Sequence, residues 1–255
     1  MHASELHTRD NVVRGPASSR YTDRYVGWSP AAIALAERAC ARHGGWERFE
    51  QVERVSLDVV TIAGMLPSFM GMGVRYPGFG RVHVEPHTQR VTFDDWPTQG
   101  DEAVYMHGEV HLKEVFSAVG SRKHRRFLPR LTWRPVDAAY FFGYALANYL
   151  ALPFLLARTQ FVSTEGRKLV VDFPPEFDTH CKRQRFHFDE SGLLIAHDYT
   201  AEVIAGAAAG RHYSEEYEEV GGLVFAKKRR VVARLGAWGT PVPVLEARLE
   251  RFSVE

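Results

Sequence analysis

Histidine and tyrosine side chains in two parts of the chain could together perform acid/base chemistry on a small molecule. His197 and Tyr199 lie two residues apart in a predicted strand, so their side chains point to the same face. Tyr140 and Tyr144 lie about one helical turn apart in an uncharged stretch. One imidazole and several phenols in a common pocket can move protons in a cyclisation, isomerisation or dehydration. His197 and Tyr199 are therefore the candidate catalytic residues of a cofactor-independent enzyme; a structural histidine at a strand end is the alternative.

The uncharged stretch "AAYFFGYALANYLALPFLLA", residues 138–157, is long enough to cross a membrane as a helix. Its composition argues against that, because Asn148 is polar and Pro153 interrupts the hydrogen bonds of the last turns. We therefore expect no integral membrane span. The sequence predicts instead a helical segment over 136–157 that bends or ends near Leu152 and Pro153 inside a folded domain.

A polar stripe runs along this predicted helix. Tyr140, Tyr144 and Asn148 follow one another at intervals of four residues, so their polar atoms lie on one side. The stripe is suited to line a ligand cavity. Bonding of the same groups to backbone carbonyls in a dry core fits the pattern equally well, and the sequence leaves both interpretations open.

The overall composition is that of a globular protein and gives no support to electrostatic binding of nucleic acid. The 255 residues carry a net charge of +1, with 45% hydrophobic and 25% charged residues. One basic cluster, "RKHRRFLPRLTWR" at 122–134, is best explained as a solvated connection, with contact to an anionic ligand or a membrane headgroup as the alternative. We expect no nucleic-acid partner.

Histidine spacing does not indicate a metal site. His83 and His87, and likewise His107 and His111, are four residues apart, which brings side chains together on a helix. Both stretches are predicted to be strands, where this spacing does not converge on one ion. We expect no metal and no other cofactor.

The N-terminal residues 1–27 are polar and predict a leader that is disordered or forms an arm. They contain no apolar region of the kind that a secretory signal has. Cys40 and Cys181 lie far apart in the sequence and fit reduced thiols. These features predict a cytoplasmic protein in which residues 28–255 form a single domain.

A capped helix opens this domain and alternating segments follow it. Ser29 and Pro30 are favoured at the start of a helix and Gly44 at its end, which predicts a helix over 30–43. Alternation of apolar and polar residues then predicts strands on both sides of the 136–157 helix. Before that helix the strands are expected at 55–59, at 82–84, at 91–93 and, as one strand, within 102–115.

The stretch "KRQRFHFDESGLLIAHDYT" predicts a β-hairpin whose turn holds Gly192 in a left-handed conformation. If Phe188 pairs with Leu193, then Phe186 lies opposite Ile195. In that register the apolar residues of both strands share one face.

Strands joined by short turns form an antiparallel sheet, and Gly221 with Gly222 provides a further turn of this kind. A single sheet of this length must curl to bury its apolar face, and the two predicted helices can cover it. We therefore predict an α+β fold: a strongly curved antiparallel β-sheet, or half-barrel, with helices packed on or in its concave face.

Several stretches are similar to a known family. These are "ARHGGWERFEQVERVSLDV" after the first helix, the aromatic helix in mid-chain, and the closing pattern "FHFDESGLLIAHDYT", "YEEVGGLVFAKKRRVV" and "LEARLERFSVE". Together they resemble the half-barrel proteins of the bacterial lipoprotein-carrier type, LolA and LppX, over roughly residues 28–255. The resemblance implies a lipophilic ligand between the curved sheet and its helices, and no cofactor. It brings no catalytic residues with it.

The loop "MLPSFMGMGVRYPGF", residues 65–79, is unusually apolar for a solvent-exposed segment. Methionine side chains adapt their shape to varied apolar partners, which suits the entrance or lid of a hydrophobic site. A plug at one end of the barrel is the alternative.

The sequence thus predicts that the protein binds a hydrophobic small molecule or a lipid-like ligand inside the half-barrel. An enzyme that acts on a hydrophobic substrate in the same cavity is the alternative. The predicted ligand-binding residues come from the helix, the sheet and the loop: Tyr140, Tyr144, Asn148, Phe186, Phe188, Phe69 and Met70.

Overall fold

The structure of the protein, a computed structural model, describes residues 24–69, 79–113, 133–175, 177, 179, 181–200, 209–235 and 238–255. Its helices are α1 (Pro30–Arg42), α2 (Trp46–Gln51), α3 (Met65–Phe69) and α4 (Pro135–Ala151), and a 3-10 helix (Phe154–Arg158) follows α4. Its strands are β1 (Val55–Ala63), β2 (Arg81–Glu85), β3 (Arg90–Asp94), β4 (Glu102–Met106), β5 (Glu109–Lys113), β6 (Gln160–Glu165), β7 (Lys168–Asp172), β8 (Arg183–Phe188), β9 (Leu194–Thr200), β10 (Ala209–Val220), β11 (Leu223–Leu235) and β12 (Trp238–Val254).

All of these strands belong to one antiparallel sheet in the order β5-β4-β3-β2-β1-β12-β11-β10-β9-β8-β7-β6. The order leaves β5 and β6 as the two edges, so the described sheet is open. Register shifts interrupt the β1–β12, β11–β12, β6–β7 and β8–β9 pairs. Such bulges increase local twist and bend strands, which lets the sheet curl around its apolar face. The predicted half-barrel with covering helices is confirmed.

Helix α1 begins and ends where the sequence predicts. The Ser29 hydroxyl accepts a hydrogen bond from the Ala32 amide at 3.3 Å, and Pro30 occupies the first turn. The chain leaves the helix at Gly44, whose φ is +112°. A Cβ on Gly44 would lie 2.2 Å from the Gly222 carbonyl oxygen, so the end of α1 packs directly on the β10–β11 turn.

Helix α4 ends at Ala151, just before Pro153, which confirms the predicted end of this helix. At its other end the Asp137 carboxylate accepts hydrogen bonds from the Arg134 amide at 2.9 Å and from Arg134 Nε at 3.0 Å. In the described part of the chain, no helix combines the length and the apolar composition that crossing a membrane requires.

Helix α4 lies inside the curve and packs against strands β2 to β5. The approach is close at Gly143, where an added Cβ would lie 2.4 Å from the Tyr105 Cβ of β4. The absence of a side chain at Gly143 therefore sets how closely the helix can approach the sheet.

The β8–β9 hairpin differs from its predicted register. Its turn does hold Gly192 at φ +94°, but Phe186 pairs with His197 and Phe188 with Leu194. The predicted Phe186–Ile195 pair was wrong, because a bulge at the start of β9 turns Ile195 outward, where it is 41% exposed.

Two further expectations, both in the N-terminal half of the chain, are revised. Residues 102–115 were expected to hold one strand, but β4 and β5 form a hairpin whose turn residues His107 and Gly108 both have positive φ. Most of the expected leader, residues 1–23, lies outside the described residues. Tyr25, within the expected leader, is buried in the core against Trp28, with ring centroids 5.1 Å apart.

We predict that Gly143→Ala lowers the free energy of unfolding by about 1–2 kcal/mol, measured by urea denaturation. The new methyl group overlaps Tyr105, and overpacking of this kind costs about 1–3 kcal/mol, from which the better helix propensity of alanine recovers up to about 1 kcal/mol. The control is Gly80→Ala, because no described atom lies within 4 Å of its added Cβ. That variant should stay within about 0.5 kcal/mol of wild type. A Gly143→Ala protein as stable as the control would contradict this packing.

Candidate ligand cavity

A cavity of about 190 Å³, here called the main cavity, lies between α4 and the inner face of the central strands. The helix contributes Phe142, Ala145, Leu146 and Tyr149 to its wall. The sheet side is formed by residues of strand β1 and of strands β9 to β12. The described sheet residues are Val59, Tyr199, Ala209, Gly210, Arg229, Val231, Val232, Ala233, Val244, Leu245, Ala247 and Leu249, with Phe141, Met65 and Leu66 completing the wall.

The wall is almost entirely apolar. Its described polar side chains are those of Tyr149, Tyr199 and Arg229, and the rest are aliphatic or aromatic. An engineered apolar cavity of about 150 Å³ stays free of water and binds benzene. The main cavity is larger, so an apolar molecule at least of that size fits it.

A second, small cavity of about 20 Å³ adjoins the main cavity and has a more polar wall. The two share four lining residues: Phe141, Ala145, Tyr149 and Tyr199. Tyr144, Asn148, Gln184 and His197 line the small cavity but not the main cavity. A space of this size holds about one water molecule, so the small cavity is suited to a polar atom rather than to a hydrocarbon chain.

The two candidate catalytic residues lie together at these cavities. Tyr199 lines both of them and His197 lines the small one, with ring centroids 5.1 Å apart. Burial raises the pKa of the Tyr199 hydroxyl well above its usual value. Tyr149 interacts with the Tyr199 hydroxyl from the helix side, so the phenol expected from the sequence has a second phenol as its neighbour.

The predicted polar stripe of α4 divides between the core and the small cavity. Tyr140 is buried against Tyr105, with ring centroids 5.8 Å apart, and lines neither cavity. Tyr144 and Asn148 line the small cavity. The Asn148 amide donates to the Tyr144 carbonyl at 2.9 Å and accepts from Gln89 at 3.4 Å, so both of its polar atoms are bonded.

The other predicted ligand-binding residues lie away from the main cavity or outside the described residues. Phe186 is buried next to the His197 ring and Phe188 is buried in the core; neither lines a cavity. Phe69 ends α3, whose first residues Met65 and Leu66 do line the main cavity. The Phe69 side chain and all of Met70 lie outside the described residues.

Two neutral histidines form the polar edge of this region. His212 pairs with His197 across the β9–β10 ladder, and their rings lie 4.8 Å apart. Burial lowers the pKa of His197 to about 3, and it lowers the pKa of His212 well below its usual value. Within the described ranges, both nitrogens of His212 and Nδ1 of His197 have no hydrogen-bond partner. Unpaired buried polar atoms are uncommon in folded proteins and are costly, so this part of the interior is a candidate functional region.

Arg229 is a charged residue of the cavity wall that was not among the predicted ligand-binding residues. It lies on β11, is 4% exposed and lines the main cavity. It belongs to the run "KKRR", which suggests a solvated surface. The alternation within β11 was the available signal, because it places Arg229 on the same face as the buried Phe225 and Val231.

The opposite face of β9 carries a carboxylate whose charge is compensated by its neighbours. Asp198 accepts hydrogen bonds from His187 at 3.0 Å and from Arg211 at 2.6 Å, and Arg234 lies 3.1 Å away. Burial alone would raise its pKa, but the bonds from His187 and Arg211 hold the pKa of Asp198 well below its usual range. This carboxylate is therefore already engaged outside the cavity.

A hydrogen-bonded serine, histidine and aspartate cross strands β1 to β3. Ser56 Oγ lies 2.7 Å from His83 Nδ1, and His83 Nε2 lies 2.9 Å from Asp94 Oδ2. Ser56 is only 2% exposed, and none of the three residues lines either cavity. A nucleophile must reach its substrate, so this arrangement fits a polar cross-strand ladder rather than a hydrolase site. In the part of the chain that is described, no three His, Cys, Asp or Glu residues are grouped to hold a metal ion.

A scan of protein-family models and a search of curated proteins find no match to this chain. Solved structures do match. An outer membrane lipoprotein-sorting protein domain from Vibrio parahaemolyticus superposes with a TM-score of 0.50 at 11% identity, over 88% of this chain and 92% of that chain. A LolA superfamily protein from Nitrosomonas europaea gives 0.49 at 8%, over 88% and 93%, and a DUF1329 family protein from Desulfovibrio piger gives 0.48 at 10%, over 88% and 92%. The Vibrio match confirms the fold expected from the resemblance.

We predict that the free energy of unfolding decreases as the pH falls from about 6.5 to 5. The folded-state pKa values of His43, His197 and His212 lie below the unfolded value of about 6.5, so in this interval the unfolded chain binds protons that the folded chain does not. Each such histidine contributes about 1.4 kcal/mol per pH unit, and its contribution to stability is complete above pH 6.5.

The variant His212→Phe tests the origin of this slope by urea denaturation across the same interval. It should reduce the slope by about one histidine's share. The control Phe225→Leu removes buried apolar volume without a titrating group, so it should lower stability equally at each pH. A wild-type stability that does not change over this interval would contradict the neutral, buried histidines.

Proposed function

We propose that the protein binds a hydrophobic small molecule or a lipid-like ligand in the main cavity. The observation that supports this most directly is the apolar wall that α4 and strands β10 to β12 form around about 190 Å³. Transfer of apolar surface from water into such a space is favourable by about 25 cal/mol per Å². A cavity of this kind inside a domain is the usual form of a small-molecule site.

The fold supports this function. A sheet that curls around one helix leaves interior space that a ligand can occupy, and the structurally similar Vibrio domain is described as a lipoprotein-sorting protein. Fold alone does not determine function, so the proposal depends on the cavity rather than on the match. The cytoplasmic location and the single-domain organisation expected from the sequence stay predictions.

Acid/base catalysis at His197 and Tyr199 is the less favoured function. A base with a pKa of about 3 is poorly matched to take up protons near neutral pH. The raised pKa of Tyr199 makes its hydroxyl a poor proton donor under the same conditions. These two shifts favour a binding site over an enzyme that uses this pair.

We predict that Ala145→Leu weakens binding of the neutral apolar dye Nile red at least about tenfold, measured by fluorescence titration. Ala145 lines both cavities, so a leucine there occupies space that the dye would fill. Leucine is a good helix former, and filling a cavity commonly stabilises a protein, so the variant should unfold at the same temperature as wild type or higher.

The control for this experiment is Ile195→Phe, an added aromatic group on the outer face of β9. It should leave the affinity for Nile red unchanged. Failure of the wild-type protein to bind Nile red, or equal binding by Ala145→Leu and wild type, would contradict a ligand site in the main cavity.

A further inference from the structure

The Arg229 guanidinium is held at the wall of the main cavity from two sides. Its Nη1 donates to the Ser214 hydroxyl at 2.9 Å, and its Nη2 to the Tyr149 carbonyl at 3.5 Å. The guanidinium carbon lies 5.1 Å from the centre of the Tyr149 ring. Strand β10 and helix α4 thus fix its position, which preorganises its remaining donors.

Arg229 has unused hydrogen-bonding capacity. A guanidinium carries five N–H groups, and two of those of Arg229 have the acceptors just described. Its Nε is buried and has no partner among the described residues. A buried donor without an acceptor loses its hydration without compensation, so an acceptor supplied by a ligand would remove this cost.

The positive charge of Arg229 also has no compensating charge in the described part of the chain. Among the described residues, no carboxylate forms an ion pair with it. The titratable groups that interact with it include Tyr149, Tyr217, His197 and His212, and burial keeps these groups neutral. Asp198, on the other face of β9, is engaged by His187, Arg211 and Arg234. A buried cation without a counter-ion is strongly unfavourable, so this site is suited to receive an anion.

We infer that the ligand of the main cavity is an anionic amphiphile, whose carboxylate or phosphate group binds Arg229 while its hydrocarbon part fills the apolar space. This inference rests on the function proposed above and names its ligand class. A planar guanidinium pairs with carboxylate or phosphate oxygens through parallel hydrogen bonds. The remaining wall offers such a molecule only aliphatic and aromatic contacts, with phenols from Tyr149 and Tyr199 next to the head group.

The test is competition against Nile red with four compounds: decanoate, decyl phosphate, methyl decanoate and inorganic phosphate. Charge-assisted hydrogen bonds contribute enough for about tenfold tighter binding, so decanoate or decyl phosphate should displace the dye at about tenfold lower concentration than the neutral ester. The comparison of acid with ester uses wild-type protein only, so it does not depend on the folding of a variant.

Substitution at Arg229 then tests whether this residue causes the preference for the acid over the ester. In Arg229→Met the acid and the ester should compete about equally, and Arg229→Lys, which keeps the charge, should retain part of the preference. The matched control is Arg230→Met, because Arg230 pairs with Glu215 at 2.7 Å and does not line the cavity. The Arg230→Met protein should prefer the acid over the ester to the same extent as wild type.

The outcomes separate this inference from the proposed function. If wild-type protein binds Nile red but the acid and the ester displace the dye equally well, the anionic head group is overturned and the hydrophobic site stays intact. Protein that binds no Nile red would overturn both. Discrimination that persists in Arg229→Met would assign the anion to another residue and overturn the role of Arg229. Thermal stabilisation by inorganic phosphate as strong as that by decyl phosphate would indicate a free anion and overturn the amphiphile.

Discussion

The interior of this protein depends on a difference in width between one helix and the sheet that curls around it. An α-helix is about 10 Å across, and neighbouring strands lie about 4.8 Å apart, so a single helix covers only a few strands. Helix α4 packs on strands β2 to β5, and Gly143 lets its backbone approach Tyr105 closely. The curled sheet then brings β10 to β12 opposite the other side of the helix without filling the space between them. The main cavity is the result of this geometry.

The polar groups in this interior are organised around one positive charge. Arg229 is buried at the cavity wall, and the neighbouring His197 and His212 stay neutral because burial and the positive charge of Arg229 both lower their pKa values. Asp198 lies on the opposite face of β9, where it is paired with His187, Arg211 and Arg234. A ligand that carries an anion at one end and a hydrocarbon at the other would satisfy both parts of this wall.

Local sequence rules predicted most of the fold because its elements follow strong local signals. Ser29, Pro30 and Gly44 mark the limits of α1, and the turn at Gly192 requires a left-handed residue. The register of β8 and β9 could not be predicted, because the bulge that exposes Ile195 depends on pairing across the sheet. At the site, His197 and Tyr199 were identified by their spacing. Arg229 was missed because a run of basic residues suggests solvent, although the alternation within β11 places it on the same face as the buried Phe225 and Val231.

A crystal structure of the protein soaked with 1-bromooctane would show whether the main cavity takes up an apolar molecule, because anomalous scattering locates the bromine without prior assumptions. The compound is neutral, so its binding does not depend on the role of Arg229. We expect bromine density in the main cavity beside Ala145 and Ala247. Density confined to the protein surface, with the space between α4 and strands β10 to β12 closed by side chains, would contradict it.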